Sequence, residues 1–143
     1  MSYWERNTLI LLAGSVFGAV FYFGFVIAQS VAAGAVVMPQ LWVWLGYIVF
    51  QFAVSVGGVW LLNRKGLAEV RDLVGGEDER DLVIKKQAEA RQGHIMSALI
   101  LFGLAFWFIH GSAALLFHSM VAALVVSELC RGLIQYASYS RAI

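Results

Sequence analysis

Every Lys and Arg of this chain lies in one of three places: Arg6 near the start, a cluster between residues 63 and 92, and Arg131 with Arg141 near the end. Between these places run four long stretches almost without charge. A water-soluble fold needs charged side chains over its whole surface, so it cannot segregate them this way. A bilayer core demands such segregation, because charges at the centre of a spanning helix are costly.

The sequence therefore predicts an all-α integral membrane protein. Its four spans form one bundle, with helices at about 8–33, 41–62, 78–109 and 113–131. A span needs about 20 apolar residues. Its backbone N–H and C=O groups must bond within the segment, which selects helices over open strands. Four such spans use most of the 143 residues and leave no room for a soluble domain. Composition agrees: 13% of the chain is charged, where a soluble domain carries about 25%. The first apolar run, Leu9 to Val31, is too long for the core of a signal peptide, and the residues before it carry no net positive charge. It is expected to stay as a span.

Lys and Arg near helix ends are retained in the cytoplasm. The connections at 34–40 and around His110-Gly111-Ser112 carry no charge. Both termini and the 63–92 loop are thus expected inside. Trp42, Trp44, Tyr47 and Trp107 are expected at the outer interface, and Tyr3, Trp4 and Trp60 at the inner one. The one proline, Pro39, falls in the first outer turn, where it breaks no helix.

Small residues recur at steps of four: Gly14 and Gly18, Gly24 and Ala28, then Ser119, Ala123 and Ser127, while Ala53 and Gly57 mark the second helix. Small side chains let helix backbones approach closely in lipid. These stripes are expected to pack the bundle internally, with a homodimer seam as the alternative.

The 63–92 loop holds seven basic and seven acidic residues, so it is no polybasic lipid clamp. Leu67, Val70 and Val74 recur at helical spacing and predict a short amphipathic helix over 66–74, ending at Gly75-Gly76. The run Glu77, Asp78, Glu79, Arg80, Asp81 puts acids where a helix N-terminus favours them. Asp81, Lys85 and Glu89 then place opposite charges on one face. The third helix is expected to start here and project into the cytoplasm. The 77–81 segment is at the least a capped helix start; it is also the candidate docking surface for a cytoplasmic protein partner.

Glu128 is the one acid inside an expected span, three residues before Arg131. That spacing predicts an ion pair, to Arg131 or to Arg64, that ties the fourth helix down. The alternative is a small dimeric transporter or channel that uses Glu128. Three histidines, His94, His110 and His118, raise a cofactor-binding electron-transfer subunit, but they sit at different depths and none pairs with another across one iron. Packed or interfacial histidines are the expectation, with no cofactor. Net charge is +1, which gives no case for direct nucleic-acid binding. A single cysteine, Cys130, excludes an intrachain disulfide and a cysteine metal site. There is no nucleophile–base pair, Gly-rich phosphate loop or zinc motif, so no catalytic or metal-binding residue is expected and no enzyme.

Two stretches carry a resemblance. One runs from Glu77 through Asp78-Glu79-Arg80-Asp81 to Lys86; the other runs from Glu128 through Gln135 and Tyr139 to Arg141. Together they resemble a family of small prokaryotic four-helix membrane proteins classed as a domain of unknown function. Its members carry an Asp-Glu-Arg-Asp stretch before the third helix, and Glu, Gln, Tyr and Arg around the end of the fourth. Family tails of the Tyr-Arg-Arg type differ from Tyr139-Ser140-Arg141 here. The resemblance covers the second half of the chain. It implies a location in the prokaryotic inner membrane and a cytoplasmic partner of the helix-turn-helix regulator class. It also implies one polar cluster joining 78–81 to the tail.

Overall fold

The computed structural model describes residues 3–73 and 79–140, with side chains over 6–58, at Trp60 and over 79–139. Among the described residues every regular element is a helix: α1 Tyr3–Ala33, α2 Leu41–Leu73, α3 Glu79–His110 and α4 Ala113–Ser140. All four are long and apolar enough to cross a membrane.

The turns follow from local chemistry. Gly34 and Gly111 both adopt φ of 66°, the left-handed conformation that closes a helix and that glycine takes without a Cβ clash. The Gly111 N–H bonds the Trp107 carbonyl at 2.7 Å, ending α3. Ser112 then opens α4, its Oγ accepting the Leu115 N–H at 3.3 Å. Two residues suffice for the reversal, so α3 and α4 form a tight antiparallel hairpin.

Packing sets the order α2–α1–α4–α3 in space. α1 packs on α2 and α4, and α4 packs on α1 and α3; α2 and α3 do not touch among the described residues. The array is open, with α2 and α3 as its edges. The start of α1, the ends of α2 and α4, and the start of α3 all lie at one end, because each packed pair is antiparallel. Pairs such as Ile10–Gly58, Leu12–Gly132 and Gly103–Ser119 set the register.

Glycine makes these contacts possible. A Cβ on Gly14 would collide with Val54, and one on Gly18 would press Phe50 and Tyr47 at 3.3 Å. A Cβ on Gly103 would fall 2.7 Å from the Ser119 hydroxyl. Ala123 and Ser127 are buried within α4's packed face. The Gly14–Gly18 and Ser119–Ala123–Ser127 stripes are therefore used inside this chain. Gly24 and Ala28 instead face outward, with nothing within 4 Å of Gly24. The core is formed by Tyr22, Val26, Val121 and Val125, where α1 meets α4.

Three boundaries differ from the sequence expectation. α2 runs unbroken from Leu41 to Leu73 and absorbs the separate short helix expected over 66–74. At 1.5 Å per residue it is about 50 Å long, well beyond the apolar run that ends near Leu62. Asn63, Arg64 and Lys65 mark an end of hydrophobicity; they are not helix breakers. α1 starts at Tyr3 and α4 continues to Ser140, since their ends hold each other: Gly132 lies against Leu12, and Thr8 and Gln135 are both buried.

Candidate functional site

Because α2 and α3 do not close on one another, a groove of about 1040 Å³ runs between α2 and α4, floored by Leu11 and Ser15 of α1. Near one end the Trp44 and Phe117 rings meet at 6.0 Å and bridge the two helices. Along its α2 wall lie Tyr47, Gln51 and Ser55, with the Gln51 amide donating to the Tyr47 hydroxyl at 3.1 Å. At the other end sit Gln92, Glu128 and Arg131.

That polar junction is the site's chemistry. Arg131 donates from Nη2 to Glu128 Oε1, one helical turn away. Gln92 donates from Nε2 to Glu128 Oε2 at 2.8 Å, joining α3 to α4. Both carboxylate oxygens are thus engaged. Among the described residues Arg131 gives no other hydrogen bond, and its Nε is buried without a partner. The side chains are 22% exposed for Arg131 and 35% for Glu128, so the pair sits at a boundary. The unused hydrogen-bonding capacity of Arg131 is donor capacity alone.

A second network sits at the far end of the α1–α4 seam. His118 is 9% exposed and Tyr22 is fully buried. The Val37 carbonyl can only accept, so His118 Nε2–H donates to it at 2.9 Å. His118 Nδ1 is then the acceptor for the Tyr22 hydroxyl, at 3.1 Å. Both ring nitrogens are occupied, and the imidazole ties α1, α4 and the 34–40 connection together. Ser30 supports that connection by accepting the Val37 N–H at 3.4 Å. His94 is exposed and bonded to the Ala90 carbonyl, while His110 packs on Phe106. Among the described residues no three His, Cys, Asp or Glu side chains converge as metal ligands would.

Of the docking candidates, Glu79 and Arg80 are exposed on the first turn of α3 and Asp81 is half-buried. Glu77, Asp78 and Arg141 lie outside the described residues. Gln92 was invisible from the sequence, where it looked like one more polar residue of a charged loop. Folding 79–140 about the Gly111-Ser112 turn puts it near the depth of Glu128, a signal that needs the hairpin first.

No protein-family model, curated protein or solved structure matches this chain.

Proposed function

We propose that this chain is a multi-pass protein of a prokaryotic cytoplasmic membrane, with both termini inside, and that it acts without catalysis by engaging a cytoplasmic protein through its charged end. The observation that carries the reading is charge polarity along the helix array. Every described Lys and Arg lies in the half of its helix that points to one end of the array, and the two turns at the opposite end carry no charge. Such an end is held in the cytoplasm during insertion.

Helix length supports the same reading. α2 continues about eleven residues past its apolar run, and α3 begins about sixteen residues before its own, so each extends roughly 16–24 Å beyond the apolar layer. Exposed Glu79, Arg80, Lys86, Glu89 and Arg91 decorate the α3 extension with both signs of charge. A mixed-charge rod suits a specific protein contact better than a generic anionic membrane surface. The resemblance drawn from the 77–86 and 128–141 stretches adds the prokaryotic setting and a regulator of the helix-turn-helix class as the partner to test first. Glu128 answers to both Arg131 and Gln92, which favours a structural ion pair over a coupling acid.

The test is affinity capture from native membranes with the wild-type chain and with the charges of 77–81 reversed. A protein enriched by the wild type and lost by the reversed segment supports the reading. Capture of the same proteins by both, or of none, overturns it.

A further inference from the structure

We propose that the α2–α4 groove is a binding site for an anionic phospholipid, with the lipid phosphate at Arg131 and an acyl chain lying along the groove. The proposal rests on the membrane reading above and does not need the protein partner.

Three observations converge. First, the groove is long and laterally open. Its α4 wall runs from Ala113 to Arg131, about 27 Å at 1.5 Å per residue, nearly the thickness of a bilayer core. Neighbouring lipid can enter it sideways. Second, its polarity is graded. The charged groups Glu128 and Arg131 cluster with Gln92 at one end; above them Leu124, Val121 and Phe52 line the groove, with the uncharged polar groups Tyr47, Gln51 and Ser55 on its α2 wall. A headgroup at Arg131 would place a chain of one leaflet, about 15 Å, against Leu124, Val121 and Phe52.

Third, the junction is short of acceptors. Glu128 spends both oxygens on Arg131 and Gln92. Arg131 donates from Nη2 to Glu128, and its Nε–H has no acceptor among the described residues. A guanidinium is planar and offers five donors, so it can serve a carboxylate on one side and a phosphate on another. The ligand called for is rich in acceptors and negatively charged at one end, and apolar for the rest. An acidic phospholipid of the inner leaflet has that form, and basic clefts between spanning helices on that side hold such headgroups. Glu128 then has a defined part: it orients Arg131 and keeps the empty site neutral.

The experiment is native mass spectrometry of the purified full chain in detergent, titrated in parallel with phosphatidylglycerol and phosphatidylcholine of the same chains. The wild type is expected to retain phosphatidylglycerol preferentially. Arg131→Gln is expected to lower that preference by about tenfold, the scale of one charge-assisted hydrogen bond. Glu128→Gln keeps the guanidinium and is expected to keep the preference; a merely structural ion pair would make the two variants alike. Should Arg131→Gln fail to fold, the double variant Glu128→Gln with Arg131→Gln removes both charges together and is expected to lose the preference. Leu124→Trp, on an exposed groove position, is expected to reduce retention of both lipids. No preference in the wild type, or one indifferent to Arg131, overturns the proposal. So does a Leu124→Trp chain that changes from dimer to monomer with lipid retention unaltered, since the groove would then hold a second copy. Partner capture is read separately on 77–81, with Arg131 intact, so failure of one reading leaves the other standing.

Discussion

His118 ties α4 both to α1 and to the 34–40 connection. It accepts from Tyr22 on α1 and donates to the Val37 carbonyl beyond α1's end. A buried polar group that loses its partner forfeits its full desolvation cost. His118→Phe is therefore expected to destabilise the protein by about 1–3 kcal/mol, stranding both a hydroxyl and a carbonyl. Tyr22→Phe strands the Nδ1 acceptor instead, at about 1 kcal/mol. Thermal unfolding in detergent measures both, and the double variant should fall short of the sum, because each change removes the same bond. At this scale the sequence was legible only where partners are near in the chain. Glu128–Arg131 follows from a spacing of three. Gln92–Glu128 and Tyr22–His118 are 36 and 96 residues apart, and no local rule links them.

At the level of elements, four helices could be read from hydropathy alone, with the turns at 34–40 and 111–112. Gly34, Pro39, Gly111 and Ser112 are turn and cap residues by backbone chemistry. What misled was the junction at 63–66. Charge announces the end of an apolar layer, whereas a helix ends for backbone reasons, and Gly66 alone costs only about 1 kcal/mol. The continuity of α2 has a direct test. Gly66→Pro removes a backbone hydrogen bond and clashes with the preceding turn, at about 3 kcal/mol. Amide exchange should then quicken over 62–73 while the apolar part of α2 stays protected. If 63–73 exchanges freely in the wild type, α2 is not continuous there. The α1–α2 contact has its own test: Gly14→Leu drives a side chain into Val54, and overpacking of this kind costs about 1–3 kcal/mol. Gly24→Leu, on an open face, should leave the unfolding temperature nearly unchanged by comparison.

For the molecule as a whole, sequence reasoning anticipated a bundle but not the order in which helices neighbour one another. That order depends on which small-residue face meets which, and several faces qualify. Gly14–Gly18 finds α2, Gly103 finds Ser119, and Gly24–Ala28 finds nothing. The polarity of the array gives a prediction at this scale. With Cys130 replaced by Ser, single cysteines at Ser112 and at Glu79 should respond oppositely to a membrane-impermeant maleimide on intact cells. Ser112→Cys is expected to label and Glu79→Cys to stay unlabelled until the cells are opened; the reverse pattern would invert the topology.

The α2–α1–α4–α3 order also has a consequence for biosynthesis. α1 and α2 leave the ribosome as one finished hairpin, and α3 and α4 follow as another. Among the described residues the α1–α4 seam is the main packing between the two halves, with the Trp44–Phe117 ring contact beside it. The Tyr22 hydroxyl is made early, yet its acceptor arrives 96 residues later. The molecule is thus assembled in two instalments, and the Tyr22–His118–Val37 contact can form only after the second has been delivered. Chains translated separately as residues 1–76 and 77–143 carry one intact hairpin each, which makes this protein a natural candidate for reconstitution from halves.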